Sequence, residues 1–550
     1  MAVLMRSLIH NRNRNLALTM HVIVNCGVPT GVRGLCVKGV VRKRVSILLV
    51  ALTALCGAAV SAEEASEGLR LPPSNFTGVK ALARQLASKP YADHRQPVSP
   101  RLLELSYDQL NQITFDDHKS VWRRERLPFQ LQFFHPGGDR KDQIDVNLVD
   151  GDEVMAVPFS REFFAYDTNS RYSWADFKSA KFSGFRVLYP INRNDKLDEV
   201  IVFQGASYYR VVPAAHVYGL SARVLAVNCG GEGAEEFPRF REFWVERPDR
   251  EGRALKLRGV LDSESLAGAV EFTIEPGAET VTRVCVALYP RVDLQRYGIA
   301  PLTSMYWFGK NTQRRFDDVR PEVHDSDGLQ IQTDAGEWLW RPLDNTGALR
   351  TSAFSDKGPK GFGLFQRETD PACYQDNHAQ YHRRPSAWIR PGGDWGTGSV
   401  RLVEIPTDTE FHDNIVAFWE PAQAIKAGES AEFTYDVVWS GQKADLPPVG
   451  RVVATRSGAV SGQPRSRRFV IDFTCPGLEQ QGSSFAAEPV VLAARGRISN
   501  QGAGYNAPQR TWRVSFDVAA EDGAATVELR VRLRKGGATC SETWTYCWTP

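Results

Sequence analysis

Ser399–Pro421 reads SVRLVEIPTDTEFHDNIVAFWEP, and the patterning of its two ends decides the fold. Val400, Leu402, Val403 and Ile405 open it, and Ile415, Val416, Phe418 and Trp419 close it. These are the β-branched, aliphatic and aromatic side chains that fill a pleated surface. Between them, Pro406–Asp413 carries a proline and four ionisable residues, Asp408, Glu410, His412 and Asp413. Two apolar runs joined by a short polar loop predict a β-hairpin. A rigid hairpin with carboxylates at its tip suits acid–base chemistry at the mouth of a cleft. A solvated acidic turn has the same sequence.

The same rhythm runs outward in both directions. Leu127–Phe134, Gln143–Val149, Gly184–Tyr189, Glu199–Phe203 and Arg223–Val227 read as strands, with turns at His135–Gly138, Asn192–Asp195 and Gly230–Gly233. Ala254–Gly259, Ala269–Ile274, Thr280–Tyr289 and Ala431–Trp439 continue it. Short strands punctuated by Gly, Pro, Asn and Asp predict an all-β fold, a sandwich or barrel-like body, and disfavour a parallel α/β sheet. Helices are expected only near the start, over Gly78–Lys89 and within Ser99–Thr114. Ser440–Gly450 (SGQKADLPPVG) reads as a linker. Beyond it, Arg468–Phe473, Trp512–Val518 and Thr526–Arg534 alternate cleanly between apolar and polar residues. A half-exposed antiparallel sheet of that length predicts a small immunoglobulin-like sandwich. With 550 residues, two or three domains are expected. Residues 63–440 form the large β body in this reading, 441–450 the linker and 451–550 the terminal sandwich.

Val41–Arg44 is basic, Val45–Val60 is apolar, and Val60-Ser61-Ala62 offers small residues at a cleavage position. This predicts an exported protein with a signal peptide ending at Ala62. Met1–Val40 is basic and aperiodic, which places the expected start downstream; residues 1–62 are set aside from the fold. Six cysteines remain, Cys229, Cys285, Cys373, Cys475, Cys540 and Cys547. None has a zinc spacing. An exported protein permits a Cys540–Cys547 disulfide, although isolated buried thiols are the preferred reading.

The net charge of +3 comes from interspersed acids and bases, so nucleic acid is not an expected partner. There is no HExxH, GxSxG or phosphate-binding loop, and neither a metal nor a cofactor is expected. Gly358–Gly363 (GPKGFG) reads as a turn flanking a strand. Glu322–Leu329 (EVHDSDGL) is a second acidic knot, where Asp325 and Asp327 would share one face of an extended chain. An Asx-rich turn fits equally, and calcium fits poorly. Asp370–Trp395 gathers Tyr374, Asp376, Tyr381, Arg384, Trp388 and Trp395. Rings that stack on sugars, beside Arg and Asp that bind hydroxyls, predict a carbohydrate subsite of Trp388, Arg384, Tyr374, Asp376 and Trp395. The chain holds 28 Phe, 16 Tyr and 13 Trp, which suits sugar stacking and sheet core alike. Paired carboxylates without a metal motif fit glycoside chemistry, but spacing alone does not say which acids pair.

Several motifs in fixed order resemble the periplasmic glucan biosynthesis protein G/D family. They include QFFHPG (Gln132–Gly137), GASYYR (Gly205–Arg210), VYGLSAR (Val217–Arg223), EEFPRFREF (Glu235–Phe243), APLTSM (Ala300–Met305) and RPEVHDSDGL (Arg320–Leu329). GEWLWRPL (Gly336–Leu343), PKGFGLFQ (Pro359–Gln366), RPSAW (Arg384–Trp388) and the opening hairpin complete the set. The resemblance runs from about Tyr91 to the C-terminus and is closer to G-type members. It implies a large β-sandwich with a long cleft, joined to an immunoglobulin-like sandwich. It implies periplasmic work on a β-1,2-linked glucan, in cooperation with an inner-membrane glucosyltransferase. The activity it implies is that of an inverting β-1,2-glucanase or a transglycosylase, the alternative being a non-catalytic glucan-binding scaffold. By motif, Asp413 of DNIVAFW is the expected general acid and Asp325 of HDSD the general base. Glu410 and Tyr381 match positions of a proton relay through water.

Overall fold

A computed structural model describes residues 73–95, 97–166, 174–312, 316–441, 447–474 and 487–550. The expected signal segment, Cys475 and part of the expected linker lie outside the described residues.

The opening hairpin forms as its pattern predicts. Gly398–Glu404 pairs antiparallel with Ile415–Pro421, with Val400 opposite Trp419 and Glu404 opposite Ile415. The loop is one residue longer at each end than expected, because Ile405 and Asn414 leave the ladder. The Ile405 N–H still donates to the Asn414 carbonyl at 2.8 Å and closes the base. Both faces of the hairpin are buried. Val400, Leu402, Ala417 and Trp419 join the main core, while Val403, Val416 and Phe418 join a smaller cluster with Ala226 and Cys229.

The hairpin sits in a ten-stranded sheet, between Tyr297–Ser304 and the edge strand Arg350–Asp356. Towards the other edge lie Ser221–Arg223, Tyr208–Val211, Lys196–Gln204, Gly184–Arg193 and Gln130–Phe134. A fifteen-stranded sheet packs against it. The interface is aromatic: Phe185 meets Phe243 at 5.0 Å and Phe203 meets Phe272 at 5.2 Å between ring centroids, both edge-on. Each such ring contributes about 1.5–3 kcal/mol by leaving water. The protein is an all-β sandwich, as the strand rhythm predicts.

Phe76–Ala87 is the expected first helix. Asn75 caps it by accepting the Gly78 N–H at 3.0 Å, and Val79 and Ala83 pack on Trp244, Val260 and Ala269 of the large sheet. Ser99–Thr114 yields two short helices, Pro100–Leu103 and Tyr107–Gln112, the second opened by a Ser106–Gln109 capping box. Leu127–Phe134 departs from expectation. The strand is Gln130–Phe134, and every residue in it is buried, because structure covers both of its faces.

Near the C-terminus, Arg451–Ala459, Ser466–Thr474, Thr511–Ala520 and Gly496–Asn506 make a four-stranded sheet. Phe469, Ile471, Phe473, Val514 and Phe516 point inward against Val527, Leu529, Val531 and Leu533. The opposing strands belong to the fifteen-stranded sheet, because Thr543–Trp548 runs parallel to Trp338–Pro342 and pairs with it. One sheet therefore runs from the expected large body into the expected terminal sandwich, a connection that alternation within each strand does not encode. Cys547 is a buried free thiol, so the permitted Cys540–Cys547 disulfide is not formed.

Candidate active site

Asn414, 1% exposed, anchors the acidic loop. Its side-chain amide donates to the Tyr306 and Ile405 carbonyls, both at 3.0 Å, and its oxygen accepts the Tyr306 N–H at 2.8 Å. With every strong polar group of that side chain engaged, the direction of the preceding residue is fixed. Asp413 projects towards Arg210, whose Nη2 lies 3.7 Å from Oδ2. The other oxygen, Oδ1, is buried and has no hydrogen-bond donor among the described residues. Burial pushes the Asp413 carboxyl up to about 6, Arg210 opposes the shift, and the nearby Asp325 charge adds to it.

Asp325 lies in the bend between Val323–His324 and Gly328–Gln332, where its N–H donates to Met305 O at 2.8 Å. Its carboxylate is fully buried. Arg384 donates to Oδ1, while Oδ2 has no donor among the described residues. Burial raises this carboxyl too, with Arg384 and Arg210 pulling it down. Asp325 and Asp413 come from segments far apart in sequence, yet both feel Arg210 and Arg384. They occupy one electrostatic pocket.

Asp327 does not share that pocket. The bend at Asp325 breaks the extended alternation, and Asp327 Oδ2 accepts the N–H groups of Arg367 and Glu368 instead. Its neighbour His324 stands among Glu322, Asp327 and Gln366. Ligand-type atoms of Glu322, His324 and Asp327 converge within 4.8 Å. Lys310 supplies the cation there, with Nζ 2.9 Å from Glu322 Oε1 and a second contact to Glu368. The arrangement is an ion-pair network of Lys310 and His324 with Glu322, Asp327 and Glu368.

Glu410 and Tyr381 are joined directly. The Tyr381 hydroxyl donates to Glu410 Oε2, and burial raises the phenol far above its ordinary value. Arg320 grips Glu410 from the other side, Nη1 to Oε2 at 2.8 Å and Nη2 to Oε1 at 3.2 Å. The same guanidinium donates to Asp376 at 2.9 Å and Asp318 at 2.7 Å. The Arg384 guanidinium lies 4.1 Å from the Tyr381 ring centroid. Contacts thus run unbroken from Asp325 through Arg384, Tyr381, Glu410 and Arg320 to Asp376.

The expected carbohydrate subsite needs correction. Trp388 is 1% exposed, stacked on Trp338 at 5.8 Å and edge-on to Phe365. Gly361 lets the indole lie flat, since a Cβ there would come 2.2 Å from its ring. Trp395 is edged between Phe433 and Tyr435 in the main core. Tyr374 is fully buried and donates to Glu368 O at 3.0 Å. None of these three rings has a face open to a sugar; the pull of apolar burial won them for the core. Arg384 and Asp376 remain in the polar network.

Sequence reasoning missed Arg210, Arg320 and Asn414, which contact Asp413, hold Glu410 and anchor the acidic loop. The signal was present for the first two, which end GASYYR and open RPEVHDSDGL. Arginines adjoining acid-rich or aromatic motifs are natural partners for buried carboxylates. Asn414 had a weaker signal, a polar amide beside the apolar run Ile415–Trp419.

Residues 75–548 match the family described as periplasmic glucan biosynthesis protein, MdoG. Glucans biosynthesis protein G of Bradyrhizobium diazoefficiens is 44% identical over 473 residues, covering 86% of this chain and 93% of that protein. The protein of the same name from Shewanella frigidimarina is 42% identical over 476 residues, covering 86% and 84%. That of Vibrio cholerae serotype O1 is 42% identical over 474 residues, covering 86% of each.

Proposed function

The chain belongs to the periplasmic glucan biosynthesis protein family, and on that premise we propose that it trims or transfers a β-1,2-linked glucan backbone, as an inverting glycosidase or a transglycosylase. The observation that carries this reading is the unequal pair, Asp413 and Asp325. Burial lifts Asp413 to about 6, so about half of the molecules hold its proton at pH 6 and about a tenth at pH 7. That suits a general acid, which must protonate the leaving glycosidic oxygen. Asp325 is ion-paired to Arg384 and suits the base that activates water from the opposite side of the sugar. The Tyr381 hydroxyl donates to Glu410, which Arg320 holds, and this pair can relay onward the proton that Asp325 takes from the water, leaving Asp325 ionised for the next turnover. Arg384 and Asp376 are the subsite residues retained for hydroxyl recognition.

The protein works in the periplasm in this reading, exported by the Val41–Ala62 segment, beside an inner-membrane glucosyltransferase that supplies the chain. The test is incubation of the mature protein with linear β-1,2-glucan, followed by product sizing and anomer analysis. Short products of inverted configuration are expected, and their release should be lost in Asp413→Asn while the fold survives. Retained release in that variant overturns the assignment. A protein that binds the glucan but never shortens or transfers it would be the non-catalytic scaffold instead.

A further inference from the structure

Asp325 and Asp413 stand on separate loops, and residues 304–306 hold both. The Ser304 and Ser326 hydroxyls share a hydrogen bond of 2.8 Å beside Asp325. Met305 O accepts the Asp325 N–H at 2.8 Å. Tyr306 exchanges two hydrogen bonds with Asn414, which directly follows Asp413. Three consecutive residues therefore set where the two carboxylates stand relative to each other.

Tyr306 is the pin of that segment. It is 1% exposed, and its ring stacks on His324, the residue before Asp325, at 5.3 Å with planes 14° apart. Its hydroxyl donates to Asn311 Oδ1 at 2.7 Å. Asn311 is buried too, and its amide donates to Leu343 O at 2.7 Å. The backbone leaves room for the hydroxyl: a Cβ at Gly309 would come 2.5 Å from it, closer than real contacts allow. The path then enters the terminal sandwich. Ser457, on the strand Arg451–Ala459, donates to Asn311 O at 2.8 Å and accepts from Arg467 Nε at 3.0 Å.

We propose that Tyr306 is a positioning residue for the Asp325–Asp413 pair, and that the terminal sandwich fixes it through Ser457 and Asn311. That placing this pair serves glycoside chemistry rests on the proposed function. Tyr306 holds one loop by its backbone and the other by its ring, so a bond lost at its hydroxyl displaces the two carboxylates relative to each other. A misplacement of about 1 Å can cost about a hundredfold in rate. Tyr306 acts at one remove. The charged groups that bear on Asp413 are Arg210, Arg223, Arg384 and Asp325, with the Tyr208 phenol beside them. The Tyr306 hydroxyl bonds to none of these. It reaches the titration of Asp413 only by moving the loop and admitting water to a buried carboxyl, which weakens the hold on the proton.

The experiment titrates Asp413 in the mature protein by the carbon-13 resonance of its carboxyl, assigned by its loss in Asp413→Asn. Tyr306→Phe removes one oxygen and keeps the ring. Its Asp413 should titrate lower than the parent's by about half a pH unit or more. On linear β-1,2-glucan its kcat should fall about tenfold with KM unchanged. Ser457→Ala should move both readouts the same way by less, and it carries the test if Tyr306→Phe does not fold. Tyr297→Phe is the control: that hydroxyl donates to Gln423 O at 3.0 Å, off this path, and both readouts should stay at parental values. An unmoved titration in Tyr306→Phe and Ser457→Ala, or an equal shift in Tyr297→Phe, overturns the placement. So does a raised KM with kcat unchanged. A shift in Tyr306→Phe alone keeps Tyr306 and removes the terminal sandwich from its support. A parent that releases no short glucan sinks the enzyme reading, and the titration still decides the placement; an active parent whose variants titrate like it does the reverse.

Discussion

Two buried acidic clusters lie side by side in this fold, and they have opposite electrostatics. In one, Glu322 faces Lys310 and His324; burial alone would raise its carboxyl, yet those partners hold it at about 2. In the other, burial dominates and Asp413 rises to about 6, because Arg210 stands off at 3.7 Å. Glu322 has a cation 2.9 Å from Oε1, while the Arg210 cation stands 3.7 Å from Asp413 Oδ2. Burial is common to both, so the difference lies in the partner. A matched pair is structural, and an unmatched carboxyl is a proton reservoir.

The largest effect should come from neutralising the unmatched side. Asp413→Asn removes the only proton that the proposed leaving group can take. Release of short glucans should fall by roughly 10²- to 10⁴-fold, measured by product sizing at fixed protein concentration. Thermal unfolding should stay at the parental temperature or rise. A loss of activity that tracks a loss of fold would erase the contrast between the two clusters.

The matched side should respond in the opposite sense. Glu322→Gln removes one carboxylate while Lys310 keeps Glu368 and His324 keeps Asp327, so the cost is that of a buried polar group losing a partner, about 1–3 kcal/mol. Denaturant unfolding should show that loss. The activity of the molecules still folded should change little, since Glu322 is not in the chain of contacts that joins Asp325 to Glu410. Unchanged stability would mean that Glu368 and Asp327 suffice for the two cations and that Glu322 is not a matched partner.

Much of this contrast's framework is legible in the amino-acid sequence. The hairpin, the terminal alternation and the first helix follow from periodicities of 2 and 3.6, which record which face each residue buries. The pairing of Asp325 with Asp413 enters through family motifs; periodicity has no term for two loops meeting across a sheet. The aromatic subsite misleads because Trp388 carries the same residue signal whether its face meets sugar or Trp338. Only Gly361, which makes room for the indole, hints at the second outcome. Trp388→Ala should therefore act as a core truncation, destabilising by about 3–5 kcal/mol. Glucan affinity per folded molecule should stay at the parental value, and an affinity loss without a stability loss would return Trp388 to the subsite.

The smallest effect is the most diagnostic, because it separates the clusters by pH. Asp413 binds its proton more tightly in the folded chain, near 6, than its ordinary value of 3.8 allows in the unfolded one. Above pH 6 both states are ionised and the folded protein bears the full cost of a poorly paired buried carboxylate. The cost fades as pH falls from 6 towards 4, where the folded state is already protonated. At about 1.36 kcal/mol per unit, its upper bound is about 3 kcal/mol, reduced because the side chain is 18% exposed. Asp413→Asn should therefore be more stable than the parent at pH 7.5, and the difference should close by pH 4. Glu322 bends the other way, since its depressed carboxyl stabilises the fold above about 4.5 and the benefit is lost as pH falls towards 2. Chemistry follows the first group alone: activity should decline about tenfold per pH unit above 6 if Asp413 is the acid. A rate that is flat from pH 6 to 8, in a protein whose Asp413→Asn variant gains no stability at pH 7.5, would place the proton elsewhere.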